Sequence, residues 1–358
     1  MLYIYKYQSC EVKWCGQSSQ QFSVRNGVRQ GAVSSAFLFS VYIDDLLTRL
    51  EKSKLGCHIH GCFFGAFVFA DDIFLLSASV SGLQSLVNIC QNFAASRNLK
   101  FGTNPSPNKS KTKCISFSKK SKDHLNLSSV YLDGLPLPWV RKVQHLGCTL
   151  ESDNSMKTDV TLKRGQFIGK VNSLLQEFHF ASKNILLKLV NTYTTSFYGS
   201  QLWDPYSAEC NKLYRSWNVT VRNVLNLDRA THRYLIEPFS DGLLHPMVMI
   251  KSRLVDFYRS QLNSPKFCIR FLIQLAADDL RTCLGRTMHR ISVEVGMKID
   301  ELSGRLVKLR LKYSSLPDTD TWRVPLGLEL MEVRNGRSSL PGFTEEEVEL
   351  ILKHICVY

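Results

Sequence analysis

Apolar positions in the first half of the chain fall in short runs and in helical rows. Ala66-Phe67-Val68-Phe69 and Ile73-Phe74-Leu75-Leu76 are short, aromatic and branched, which predicts two strands. Ala70, Asp71 and Asp72 stand between them, so Cys62–Ser77 reads as a β-hairpin presenting two acids at its tip. Phe37, Leu38, Val41, Tyr42, Leu46, Leu47 and Leu50 recur at helical spacing, so Gly27–Leu50 reads as a loop and then a helix. Leu83, Leu86, Val87, Cys90 and Phe93 predict a second helix, packed under the sheet. Cys114–Phe117 and Val130–Leu132 predict further strands. At the start, Tyr3, Ile4, Tyr5 and Tyr7 suggest one strand, Val12 and Trp14 another, and Gln17-Ser18-Ser19-Gln20 the turn.

The period then changes. Phe167, Ile168, Val171, Leu174, Leu175 and Phe178 form an amphipathic helical row, with Lys163, Arg164 and Lys170 on or beside it. Ile185, Leu186, Leu189, Val190, Tyr193 and Phe197 form another. Residues 253–295 read as helical, and Glu345–Val357 as a last short helix. The class is α+β: an antiparallel sheet with helices, followed by helical regions.

Length and charge narrow the function. At 358 residues the chain is long enough for two or three domains, and its formal net charge is +14. That excess points to a polyanionic partner. It is concentrated: Ile73 to Lys122 contains no acid, yet carries Arg97, Lys100, Lys109, Lys111, Lys113, Lys119, Lys120 and Lys122. Such a run is either a solvated loop, as Pro105, Pro107 and Asn108 suggest, or a phosphate-contacting surface. The eleven cysteines contain no Cys-x-x-Cys pair. Cys57, His58, His60 and Cys62 alternate as along one strand and lack zinc-finger spacing. Scattered cysteines, no apolar leader and no run near the ~20 residues of a membrane span predict a soluble, intracellular chain without a membrane partner.

Three Asp pairs compete for chemistry. Asp44-Asp45 sits in a helical row and reads as its solvated side, and Asp278-Asp279 follows another helical row. Asp71-Asp72 alone has strand-like apolar flanks on both sides. Hard divalent cations such as Mg²⁺ take oxygen ligands of this kind, and two-metal phosphoryl transfer needs carboxylates held on rigid backbone.

Upstream lies Gly27-Val28-Arg29-Gln30-Gly31, followed by Ser35-Ala36-Phe37-Leu38-Phe39-Ser40-Val41-Tyr42. With Phe69-Ala70-Asp71-Asp72 downstream, this closely resembles the reverse transcriptases, especially those of LINE-type (non-LTR) retrotransposons. Asn98-Leu99-Lys100-Phe101 through Lys109–Lys113 is similar to that family's next palm motif. Leu132-Asp133-Gly134, Leu137-Pro138-Trp139-Val140 and His145-Leu146-Gly147 resemble its primer-grip segment, and Tyr198-Gly199-Ser200-Gln201-Leu202-Trp203 the Tyr-Gly-x-x-x-Trp segment after the thumb. The resemblance covers residues 1–235 and fades afterwards.

It implies a partial palm in 1–150, a helical thumb in 151–235 and a helical region of unassigned role in 236–358. It implies RNA-directed DNA synthesis by two-metal nucleotidyl transfer, with two Mg²⁺ ions as cofactors. The implied partners are an RNA template and DNA primer, or an RNA–DNA hybrid, and a dNTP. Asp71 would be the principal metal ligand and Asp72 a second or supporting acid. Arg29, Gln30 and Gly31 would shape the nucleotide and template site. Phe69 would pack near the primer end, although as a lone residue it reads as core. Lys111 would take a triphosphate or proton-donor role, with Lys109 and Lys113 competing for it.

The family needs one further catalytic Asp on a strand before the Arg-Gln-Gly loop. Here the first Asp is Asp44, and residues 1–43 hold a single acid, Glu11. Ala36 stands where the family has Pro, and Ser34 where an apolar residue is usual. The expectation is an N-terminally truncated reverse transcriptase, without fingers or a preceding endonuclease domain, that is inactive alone. The alternative is a non-catalytic, basic RNA/DNA-binding remnant.

Overall fold

Helix formation in the first half follows the apolar rows closely. In the computed structural model, which describes residues 7–24, 27–29, 31–104, 106, 109–117, 127–229, 231 and 244–314, the chain divides into two units, Met1–Arg141 and Lys142–Tyr358. Secondary structure is a mixture of helices and small, mostly antiparallel two-stranded ladders.

The first unit begins with β1 (Ser9–Cys10), β2 (Lys13–Trp14), β3 (Gln17–Ser18) and β4 (Phe22–Ser23), with β1 pairing β4 and β2 pairing β3. The expected turn at Gln17–Gln20 is corrected: the reversal is Cys15-Gly16, both at positive φ (47° and 78°), and Gln17-Ser18 is the returning strand. A two-residue loop ending in Gly matches the right-handed strand twist, and this outweighs the polar run that suggested a turn. Tyr3, Ile4 and Tyr5 lie outside the described residues.

Helix α1 (Ser35–Lys52) buries Ile43, Leu46 and Leu50, whereas Phe37 and Val41 of the predicted row stay exposed. A pair of strands, β5 (His58–Ile59) and β6 (Cys62–Phe63), closes around His60-Gly61 at φ 47° and 80°. Cys57, His58, His60 and Cys62 therefore belong to a hairpin and not to one strand. Next come β7 (Ala66–Phe69), β8 (Asp72–Leu75) and α2 (Val80–Ser96), whose start is capped by the Ser79 hydroxyl accepting from the Gly82 amide at 3.1 Å. β9 (Cys114–Ile115) pairs in parallel with β12 (Trp139–Val140), and β10 (Tyr131–Leu132) pairs antiparallel with β11 (Leu135–Pro136). The core joins Ile43, Leu46, Leu50, Leu86, Cys90 and Phe93, and a neighbouring cluster holds Val87, Cys114, Val130, Leu132 and Leu137.

The second unit starts with the hairpin of β13 (Lys142–His145) and β14 (Cys148–Glu151), followed by α3 (Lys157–Glu177), α4 (Lys183–Thr194) and α5 (Ala208–Leu225). Phe167, Val171, Leu186, Val190, Trp203, Trp217 and Val221 form their shared core. Asp159 is buried within it and accepts from the Thr149 amide (3.1 Å) and the Trp203 indole (2.8 Å), so both of its oxygens are satisfied. This explains Tyr198–Trp203 as architecture. Trp203 fills the core, and Gly199, at φ +84°, leaves room for Cys148, whose Sγ lies 2.5 Å from where a Cβ would sit. A second core joins α6 (Pro246–Leu262), α7 (Phe267–Asp278), α8 (Cys283–Val295) and α9 (Gly304–Ser314) through Leu254, Val255, Ala277, Met288, Ile291 and Val307. The predicted helix at Glu345–Val357 lies outside the described residues.

Candidate active site

The hairpin of β7 and β8 is built by alternation. Ala66, Val68, Ile73 and Leu75 pack on the core of α1 and α2, so Phe67, Phe69, Asp72 and Phe74 are left for the opposite face. Phe69 pairs with Asp72 in register and Phe67 with Phe74, whose rings lie 6.4 Å apart. The ladder continues beyond the strands: the Leu76 amide donates to Gly65 O at 2.9 Å, and the Cys57 amide to Leu76 O at 3.1 Å. A two-stranded ribbon is thereby held on its inner face and at its base, while its tip projects.

Ala70 and Asp71 form that tip. Among the described residues, four other hairpins close through Cys15-Gly16, His60-Gly61, Asp133-Gly134 and Leu146-Gly147, with positive φ at both residues. The Ala70-Asp71 loop has positive φ at Ala70 alone, at 50°. An L-residue there is strained by about 1–2 kcal/mol. Asp71 thus comes from the loop and Asp72 from the first position of β8, so the adjacent carboxylates leave different backbone settings.

Both acids are exposed, and neither has a hydrogen-bond or ion-pair partner among the described residues. Phe69 is 67 % exposed, which rules out the core alternative for that ring. Arg29 and Gly31 lie in the turn before α1: Arg29 O accepts from the Ser35 hydroxyl and from the Ala32 amide, and Gly31 takes φ +80°. The Arg29 side chain is exposed; Gln30 lies outside the described residues. Lys111 is exposed, and its stem lies over Gly102, where a Cβ would meet Lys111 Cβ and Cδ at 3.0 Å. No hydrogen bond or ion pair among the described residues joins Arg29, Gly31 or Lys111 to the two carboxylates. The structure therefore unites Phe69, Asp71 and Asp72 through one register, and sets the other expected residues on separate segments of the same unit.

As metal ligands the pair fits in chemistry and falls short in number. Carboxylate oxygens at an exposed tip suit Mg²⁺, which usually retains waters and takes one or two carboxylates. Among the described residues, however, no group of three or more His, Cys, Asp or Glu could hold a metal ion.

Asp44-Asp45 turns out differently. Asp44 is exposed, while Asp45 accepts from Arg49 (2.9 Å) and Arg97 (2.8 Å). Hydrogen bonding from Arg49 holds the Asp45 carboxyl below the usual range despite an opposing effect of desolvation, and Arg97 assists. The Arg97 guanidinium also lies 4.5 Å from the Phe93 ring centre and 4.9 Å from that of Tyr42. One cation of the acid-free stretch is thus committed to bracing α1 against α2. The Asp45–Arg49 half was visible as an i, i+4 pair; Arg97 had no local signal.

Similarity to known proteins bears on the same residues. The family described as reverse transcriptase (RNA-dependent DNA polymerase) matches residues 2–150. The Pol polyprotein of the type-1 retrotransposable element R2 from Popillia japonica is 27 % identical over 274 residues, 70 % of this chain and 41 % of that protein. The Pol polyprotein of the type-2 retrotransposable element R2DM from Drosophila melanogaster is 35 % identical over 85 residues, 24 % of this chain and 8 % of its own length. The chain therefore spans less than half of either relative. Within those bounds, residues 2–150 match the reverse transcriptase family, and the chain is similar to Pol polyproteins of R2 retrotransposable elements.

Proposed function

We propose that Asp71 and Asp72 are the metal-binding carboxylates of an RNA-directed DNA polymerase domain, and that the chain is inactive alone. The observation that carries this reading is a pair of unpartnered acids at a braced hairpin tip inside the matched segment. Bound Mg²⁺ would supply activation of a primer hydroxyl and stabilisation of the leaving pyrophosphate. The residues of this chain would hold and orient. Asp71 and Asp72 bind the cation, and Phe69, exposed beside Asp72, presents an aromatic face to the primer end. Arg29, Gln30 and Gly31 border the nucleotide and template, with Gly31 allowing close backbone approach. Lys111 faces the triphosphate. RNA template, DNA primer and dNTP are the partners. Residues 1–150 are read as partial palm, 151–235 as thumb, and 236–358 as a helical region.

The inactivity follows from ligand number. Removing one member of a group that works together costs several orders of magnitude in rate, and the described residues bring no third acid to the pair. Primer extension on an RNA template with Mg²⁺ and four dNTPs, beside Asp71→Ala, tests both parts. The expected result is retained primer–template binding without extension. Extension that disappears in Asp71→Ala would uphold the site and refute the inactivity. Extension unaffected by the substitution would refute the site.

Binding without catalysis is the second reading, favoured by the acid-free, cation-rich stretch from Ile73 to Lys122. Salt-sensitive binding of RNA or an RNA–DNA hybrid that Asp71→Ala leaves unchanged, with no Mg²⁺ affinity at the tip, would select it.

A further inference from the structure

Helices α7 and α8 are joined by a short, rigidly built turn. The Thr282 hydroxyl accepts from the Gly285 amide at 2.9 Å and donates to Asp279 O at 2.8 Å and to Ala276 O. Gly285 lets the two helices close up, because a Cβ there would sit 2.4 Å from Asp279 O and 2.9 Å from Ala277 O. Arg281 clamps the Asp279 carboxylate through Nε at 3.0 Å and Nη2 at 2.9 Å. The two helices are thus packed together and joined by the short turn of residues 279–282.

The second helix presents two unlike faces. Met288, Ile291 and Val295 are buried in the core, whereas Arg286, His289, Arg290 and Val293 are exposed, at the i, i+3, i+4, i+7 spacing of one face. The single acid on α8, Glu294, is held by Lys251 Nζ at 2.6 and 2.7 Å. Two of the exposed side chains are held in place: Arg286 donates to Arg281 O at 2.7 Å, and the Arg290 guanidinium lies 3.7 Å from the centre of the Tyr206 ring. Guanidinium groups suit guanine edges and phosphates, and an exposed valine suits a thymine methyl.

The geometry points to α8 as a helix that docks in the major groove of a DNA duplex through Arg286, His289, Arg290 and Val293. This assignment is independent of the Asp71–Asp72 reading. Charge complementarity names a polyanion, and a helix as probe selects B-form DNA, because the major groove of A-form RNA is too narrow and deep to be read by side chains.

Hydrogen exchange of the unaltered full chain, with and without a DNA duplex of about 20 base pairs, tests it directly. Amides of residues 283–295 should gain protection with DNA and not with an RNA duplex of the same sequence. In anisotropy titrations Arg286→Gln/His289→Gln should weaken DNA binding about tenfold and lower the salt slope by about 1. Lys212→Gln removes the same formal charge from α5 and should change binding less than about twofold, and Arg286→Lys should keep the salt slope. Unprotected α8 amides, equal protection by RNA, or equal weakening in the Lys212 variant would each overturn the assignment.

Discussion

Replacing Gly199 by alanine should destabilise the second unit by about 1–4 kcal/mol. Two effects add. A left-handed alanine costs about 1–2 kcal/mol, and the backbone here has φ +84°. The new methyl would stand 2.5 Å from the Sγ of buried Cys148 and 4.0 Å from Asp159 Oδ2. Overpacking of that kind costs about 1–3 kcal/mol. Restricting the unfolded chain returns about 0.4–1 kcal/mol. Urea unfolding followed by far-UV circular dichroism reads the outcome, with the slope unchanged. Gly165→Ala and Gly169→Ala on α3 provide the contrast: nothing lies within 4 Å of a Cβ at either position, so each should stabilise by about 0.5–1 kcal/mol. Cys148→Ala combined with Gly199→Ala should be less destabilised than the sum of the two, by about 1 kcal/mol or more. A Gly199→Ala protein within about 0.5 kcal/mol of the parent would refute the account of this motif as close packing.

Leu146→Asn should stabilise by about 1 kcal/mol, since Leu146 sits at φ +47° where Asn is tolerated; a lower urea midpoint would contradict it. Burial pushes the Glu151 carboxyl up, but bonds from the Thr158 amide and hydroxyl at 2.8 Å, with Lys142, hold it below its usual range. Its stabilising contribution is therefore complete above the usual Glu range and lost as pH falls through the lowered folded-state value. Glu151→Gln should flatten the acid limb of a stability–pH curve, and an unchanged limb would count against this. Glu294→Gln leaves the Lys251 ammonium, already lowered in pKa by burial, without its carboxylate, and should cost about 3–5 kcal/mol. Adding Lys251→Met should recover most of that loss in thermal unfolding. Ala70→Gly should relieve the tip strain and stabilise the first unit by up to about 1 kcal/mol, while weakening any Mg²⁺ binding at Asp71 and Asp72; stability and affinity rising together would separate the two effects wrongly predicted to oppose.

The sequence was most legible where burial was one-sided. Ala66–Phe69 and Ile73–Leu76 are short aromatic and branched runs flanking two acids, and Leu83, Leu86, Val87, Cys90 and Phe93 repeat at helical spacing, so strand, tip and supporting helix could be read directly. Reading failed where the signal was turn chemistry. Cys15-Gly16 and His60-Gly61 are Xaa-Gly reversals, and passing over them moved one turn and flattened one hairpin into a strand. Exposure within α1 also escaped, because Phe37 and Val41 fit the helical row as well as Ile43 does and only the packed partners decide which side is inside. Long-range polar pairings, such as Arg97 with Asp45 and Trp203 with Asp159, have no local signature at all.

Ala70 is where local rule and structure part most informatively. Among the described residues, four hairpins close with a glycine in the second loop position, and the fifth has an aspartate there behind a strained alanine. A sequence shaped by hairpin stability alone would repeat the glycine, since the same ribbon register permits it. Strain of this kind persists where the surroundings fix the backbone, and here the inner face of the ribbon is packed on α1 and α2 while its base continues the ladder to Gly65 and Cys57. The gain from the departure is a second carboxylate next to Asp72 at an exposed, rigidly mounted position. The case for Asp71 thus rests on what the loop gives up as well as on the motif it resembles.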